Sequence, residues 1–266
     1  MFGRTHRSLW LIPAMALLLS GYLVAQDQGR EFHWSGTLAA EKIVEIKNIN
    51  GTIAADAASG DQIEVTAVKS GPDADKVKIE VVPSADGVTF CAIYPGVLFG
   101  TSGSCEPGGH WHSSNIRGNN TKVDFTVHLP ENLRFTAQNV NGSVKAEGLG
   151  RFVHASSVNG SVRVSTKSFA ELSSVNGSIQ GRMGRADWSG TLKIATVNGS
   201  VDLTMPSTLS ADVKFHSVNG RLNSDFPLTV SGTFGERRMD GKIGNGGREL
   251  VIDTVNGSVS LHHDSL

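Results

Sequence analysis

The pentapeptide Val-Asn-Gly-Ser-Val occurs at 140–144, 158–162, 197–201 and 255–259, and 175–179 differs only in ending with Ile. Looser copies are Ile49-Asn50-Gly51-Thr52-Ile53 and Val218-Asn219-Gly220-Arg221-Leu222. The Asn-Gly pairs of the five close copies are Asn141-Gly142, Asn159-Gly160, Asn176-Gly177, Asn198-Gly199 and Asn256-Gly257. From Gly142 to Gly220 the glycines are 18, 17, 22 and 21 residues apart. The last gap, 37 residues, divides into 21 and 16 if Met239-Asp240-Gly241-Lys242-Ile243 is a degenerate copy. Self-similarity at about 20 residues marks a repeat architecture with one supersecondary unit per repeat.

The flanks repeat as well. Leu133, Phe135, Ala137 and Asn139 alternate with polar residues up to Val140, and Leu250, Ile252 and Thr254 do the same before Val255. Period-two alternation is that of a strand with one face buried. Past the motif the alternation resumes one residue out of phase, so each repeat has a bend or turn at the same place. Two architectures satisfy this. Asn-Gly between alternating segments is a strong hairpin signal, which gives an antiparallel β-meander or sandwich. Alternatively the slip is the corner of a β-solenoid, with Asn or Gly taking left-handed backbone geometry and the Asn side chains stacking into a hydrogen-bonded ladder. The residue before Asn is Val or Ile in all seven copies. A hairpin does not require an apolar residue there, whereas a solenoid whose inner face includes that Val does. The expected fold is therefore all-β: a right-handed, single-stranded, parallel β-helix-like solenoid. Pro130, Pro206 and Pro227 lie 12 to 14 residues before Gly142, Gly220 and Gly241, and mark further corners, since proline cannot donate to a strand ladder.

The chain opens with Arg4, His6 and Arg7, an apolar run from Leu9 to Val24, and small residues before Gln26. This is the pattern of an export signal. The expected organisation is a signal peptide at 1–25 and a single β-repeat domain at 26–266. The alternative of a retained anchor is weakened by the shortness of the run and by Pro13. Residues 34–94 read as a first coil with trimmings that cap one end, including a hairpin about Pro83-Ser84-Ala85-Asp86-Gly87. Residues 95–121, rich in Gly, Ser, Asn and His, read as an inserted flexible loop. Cys91 at its base and Cys105 within it are the only cysteines. In an exported protein they are expected to form a disulfide. The expected location is the periplasm, the outer membrane's vicinity or the cell exterior, with no membrane span after signal cleavage.

At this point the residues resemble the putative-adhesin β-strand-repeat domains of unknown function found in bacterial envelope proteins. The resemblance rests on Val123 to Pro130 followed by the Asn-Gly copies, on Val201-Asp202-Leu203-Thr204-Met205-Pro206, and on Gly241-Lys242-Ile243-Gly244-Asn245-Gly246-Gly247 running into Leu250 to Val259. It spans most of the chain after residue 25 but not the 95–121 loop. It implies the β-helix-like fold above and no established activity.

Chemistry is sparse. A net charge of −1 argues against a general nucleic-acid binder. The expected outward residues after the motif are Lys145, Arg163, Gln180, Asp202, Asn223 and Ser260; before it come Gln138, Ser156, Ser173, Ala195, His216 and Asp253. This mixed face offers no carboxylate pair for glycoside hydrolysis. His110 and His112 are the best metal candidates, alternating on an extended segment, but the Gly-rich loop supplies no carboxylate partner. No cofactor is expected. The expected function is that of an exported, non-catalytic envelope protein, an adhesin-like binding or scaffold module. Its partner would be an envelope glycan, a protein or further copies of itself. The alternative is a carbohydrate-active β-helix enzyme whose site is assembled from distant coils.

Overall fold

The computed structural model describes residues 26–95, 105–108, 120–230 and 238–264. Over these residues the chain is all-β, with two eleven-stranded sheets that are not closed on one another. Among the described residues the one helical element is the short 3₁₀ turn Ala74–Lys76. The expected signal segment, most of the 95–121 loop and residues 231–237 lie outside the described residues.

Each motif copy links the two sheets. The strand entering the motif, for example Val153–Asn159, belongs to what is here called the leading sheet; the strand leaving it, Val162–Thr166, belongs to the trailing sheet. Equivalent strands of neighbouring copies pair in parallel and in register: Asn159 lies opposite Asn141 and Asn176, and Val162 opposite Val144 and Ile179. Parallel neighbours cannot be joined by two-residue turns, so the repeats are not a meander of hairpins. Antiparallel pairing is confined to the ends of the stack. At one end Glu31–Gly36 and Ile63–Ser70 extend the trailing sheet, and the Lys78–Ser84/Gly87–Ile93 hairpin extends the leading sheet.

The copies do not stack in chain order. Their spatial order, named by the motif Asn, is 50, 141, 159, 176, 198, 256, 219. The last copy in sequence sits between the Asn198 and Asn219 copies in both sheets. Met239-Asp240-Gly241-Lys242-Ile243 is not a further corner. It lies in Arg238–Ile243, an edge strand antiparallel to Ala211–Asn219. Its apolar residues alternate as in the true copies, but no parallel neighbour imposes a bend at Gly241.

The core lies between the sheets. Phe135, Ala137, Val153, Ala155, Leu192 and Ile194 bury the inner side of the leading sheet, and Val144, Val162, Val164, Val201 and Leu203 that of the trailing sheet. The two layers approach so closely that a Cβ on Gly181 would lie 2.9 Å from both Leu172 and Leu203 methyl carbons. This closeness accounts for the Ala and Gly among the inward positions.

In five copies the valine that precedes Asn faces solvent and not the core, while at the Asn50 end Ile49 is buried and Val140 half-buried. Val158, Val175, Val197, Val218 and Val255 are 36–49% exposed. The inward residue is the one before it: Asn139, Ser157, Ser174 and Thr196 are buried and donate to the Gly51, Gly142, Gly160 and Gly177 carbonyls. The bend falls on Asn-Gly-Ser, one residue later than the alternation suggests. The valine therefore keeps the outward parity of the leading strand.

The corner also explains the glycine. Gly51, Gly142 and Gly257 have φ of 117°, 147° and 157°, but Gly160, Gly177, Gly199 and Gly220 do not have positive φ, so backbone geometry is not the reason common to all copies. A Cβ on Gly177 would lie 2.1 Å from the Gly160 carbonyl oxygen, and an equivalent contact recurs at every copy, with the Val123 carbonyl in place of a glycine's at Gly51. Beside it the Asn side chains form a continuous ladder. Each Nδ2 donates to the Oδ1 of the adjacent copy at 2.8–2.9 Å, from Asn219 through Asn256, Asn198, Asn176, Asn159 and Asn141 to Asn50. Tyr94 closes the ladder at the Asn50 end. Its hydroxyl donates to the Asn50 carbonyl (3.1 Å) and accepts from the Asn50 N–H (3.3 Å). Burial pushes that hydroxyl well above the ordinary tyrosine value.

Gly177→Ala is expected to destabilise the protein by about 2–3 kcal/mol in urea unfolding, since backbone must move to admit the methyl. Gly60→Ala, where nothing lies within 4 Å, should change stability by less than about 0.5 kcal/mol. Tyr94 sets an alkaline limit. The unfolded phenol ionises near pH 10 while the folded one stays protonated, so stability falls as pH rises above about 10. Tyr94→Phe should be less stable than wild type at pH 7 and lose less stability between pH 9 and 11.

Candidate functional site

Among the described residues, the outer face of the leading sheet carries the densest functional chemistry. Register brings its side chains into rows along the stack. Val140, Val158, Val175, Val197, Val255 and Val218 form the row beside the Asn ladder. The next row is Gln138, Ser156, Ser173, Ala195, Asp253 and His216, short side chains through its middle. The third is Thr136, His154, Glu171, Lys193, Val251 and Lys214.

A wall closes this face at the Asn50 end. Cys91 and Cys105 are disulfide-bonded, with Cα atoms 5.8 Å apart. Cys91 lies opposite Lys47 in the sheet, so the bond lays residues 105–108 over Glu45 and Lys47. Both side chains would otherwise be solvated; instead they are at most 5% exposed and 3.4 Å apart. Lys47 Nζ donates to the Glu106 carbonyl, and Glu45 Oε2 accepts from Thr89 Oγ1 (2.8 Å) and the Gly108 N–H (3.0 Å). A buried ion pair needs such additional hydrogen bonds to offset desolvation. Next to this wall is an open groove of about 620 Å³, lined by Glu45, Thr89, Gly108, Thr136, Gln138 and His154. Phe152 supplies its apolar side and carries the Arg134 guanidinium 5.2 Å above its ring.

Three carboxylates in the middle of this face are engaged. Glu171 faces His154 Nδ1 at 3.3 Å; Asp253 is shared by His216 (2.9 Å) and Lys193 (3.4 Å). Glu249 bonds Thr191 and Lys214, whose ammonium lowers its pKa. Among the described residues no three His, Cys, Asp or Glu side chains cluster to hold a metal. His110 and His112 lie outside the described residues. No helix among the described residues is long and apolar enough to cross a membrane.

Residues 109–262 match the Toastrack DUF4097 family, more than half of the chain. The chain belongs to that family. The match ends in the strand after the last motif copy, so every corner from Asn141 onward falls inside it, whereas the Asn50 copy and the buried Glu45–Lys47 pair fall outside. The chain is also similar to three solved structures. A putative cell adhesion protein from Clostridium sporogenes is 12% identical, with 87% of this chain and 99% of that one covered at a TM-score of 0.47. A putative adhesin from Bacteroides fragilis is 11% identical, with 87% and 97% covered at 0.36. A putative lipid binding protein from Parabacteroides distasonis is 10% identical, with 90% and 98% covered at 0.24. No curated protein matches this chain.

The structure brings together Asn50, Asn141, Asn159, Asn176, Asn198, Asn219 and Asn256 as one column, with their glycines beside them. Glu45, Lys47, Thr89 and Tyr94 were not singled out by the sequence. The signal for the first three was the cysteine pair, because whatever Cys105 tethers must lie over the strand beside Cys91. Replacing both cysteines by Ser should lower stability by about 3 kcal/mol in the chain-entropy account of a loop this size. Reductant should reproduce the loss in the wild type and leave the double variant unchanged, measured by urea unfolding.

Proposed function

We propose that this Toastrack chain is an exported, non-catalytic envelope protein, an adhesin-like binding or scaffold module whose working surface is the outer face of the leading sheet. The carrying observation is the composition of that face: an exposed valine row beside short polar side chains, with Glu171, Asp253 and Glu249 in its middle held by cations or hydroxyls. Glycoside hydrolysis by two carboxylates needs one free to protonate a leaving group and another free to attack or to activate water. Carboxylates committed to His154, Lys193 and Lys214 suit adhesion better. The 620 Å³ groove beside the disulfide wall suits a polar ligand such as a segment of envelope glycan.

Residues 1–25 act as the cleaved signal and 26–266 as a single repeat domain with the 95–121 loop inserted. The disulfide fits an oxidising compartment: periplasm, outer-membrane vicinity or cell exterior. The coil is right-handed, the hand that twisted parallel strands favour in crossover connections. Purified residues 26–266, incubated with envelope and plant polysaccharides and with intact cells, should be retained on at least one without releasing soluble fragments. Fragment release would overturn this reading in favour of a carbohydrate-active enzyme.

A further inference from the structure

Among the described residues nothing covers the valine row beyond Val140, which packs against the core at the Asn50 end. Its five most exposed members are 36–49% accessible, and the Asn-Gly-Ser bend would form equally well with a polar residue there. Six consecutive copies, Asn141 to Asn219 in spatial order, repeat the feature at the strand spacing. A flat β face of this kind is completed by a second sheet packed about 10 Å away.

We propose that the second sheet is the same face of another copy of this chain, related by a two-fold axis parallel to the strands and midway between the Asn176 and Asn198 copies. The inference rests on the reading that this face is a binding surface, and it names the partner. Such an axis keeps each row opposite itself and reverses the order of the copies. Val175 then opposes the partner's Val197, Val158 opposes the partner's Val255, and Val140 opposes the partner's Val218. Of the axes between adjacent copies, only this one uses all six valines.

The charges agree with the same operation. Glu171 comes opposite the partner's Lys193, and by symmetry Lys193 opposite the partner's Glu171. Arg134 comes opposite the partner's Asp212. Gln138 faces the partner's His216, and Ser156 faces the partner's Asp253, each able to hydrogen-bond. Thr136 meets the partner's Lys214 and His154 meets the partner's Val251. Across these six copies no like charges are opposed. Six strands about 4.8 Å apart and about 20 Å of strand length give about 600 Å² from each copy. The total of about 1,200 Å² is the lower bound for a stable, specific interface. A crossing angle of about 30° between packed sheets splays the ends, which leaves room for the tethered residues 105–108 and concentrates contact on the central copies.

Sedimentation and light scattering of residues 26–266 between about 1 and 100 µM are expected to show a monomer–dimer equilibrium. Glu171→Lys alone and Lys193→Glu alone should each raise the dissociation constant at least tenfold, because like charges then oppose across the axis. The double variant should restore dimerisation, which an axis placed elsewhere would not produce. Val175→Lys should abolish it. Circular dichroism and urea unfolding of each variant check that the fold persists. A wild type that stays monomeric at 100 µM overturns the proposal, as does a dimer indifferent to Glu171→Lys. If the chain is monomeric and Val175→Lys still abolishes retention on polysaccharide or cells, the face binds another partner and only the self-pairing is lost. If Val175→Lys leaves retention unchanged as well, the reading of the face falls with it.

Discussion

The stacked Asn-Gly corner is the constraint on which the rest of this structure depends. At each copy the glycine lets one turn of backbone approach the next so closely that a Cβ there would lie only 1.8–2.2 Å from a carbonyl oxygen. The Asn beside it donates to its neighbour and accepts from the other. A single side-chain hydrogen bond at an exposed position contributes little, about 1 kcal/mol. Its value here is registration. A one-residue slip would break the ladder, drive Cβ atoms into carbonyls and turn the inner Leu, Ile and Val outward. The corner thus holds the two sheets in register.

A second consequence concerns which side each residue faces. Placing the bend on Asn-Gly-Ser puts a small hydrogen-bonding residue inside, where it satisfies the previous glycine carbonyl, and leaves the valine outside. Ser157, Ser174 and Thr196 carry out the inner task. The pattern lapses at Thr254 and Ser217, whose buried hydroxyls lack a partner. Those two copies are the last repeat, which enters out of chain order, and its neighbour, and the stack tolerates the loss because the backbone bonds persist there.

The two ends are built differently from the middle, as repeat stacks require. At the Asn50 end Tyr94, the Lys78–Ser84/Gly87–Ile93 hairpin and the disulfide-tethered residues close the ladder, the sheet edge and the outer face in turn. That wall and the valine row together make the leading face the distinctive surface of the molecule. Of that face, the sequence made the outward Ser156, Ser173, Ala195, His216 and Asp253 readable, because alternation before the motif is unbroken. It hid the valine row, because alternation alone does not locate a phase slip to within one residue. It hid Glu45 and Lys47 because a charged alternating strand reads as solvated until something covers it.

The sequence alone determined the all-β class, the repeat and its approximate period, the inward Leu, Ile, Val and Phe set, and the cysteine pair. These follow from local alternation, from side-chain volume and from composition, and each is written within a few residues of where it acts. Only the tertiary structure decided that the last copy lies between the Asn198 and Asn219 copies, that Arg238–Ile243 is an antiparallel edge, and that the valines face out. The reason is that seven nearly equivalent corners can pair with one another in many orders. Local preference is the same for each order, so the choice falls to connections and end caps that lie far apart in the chain.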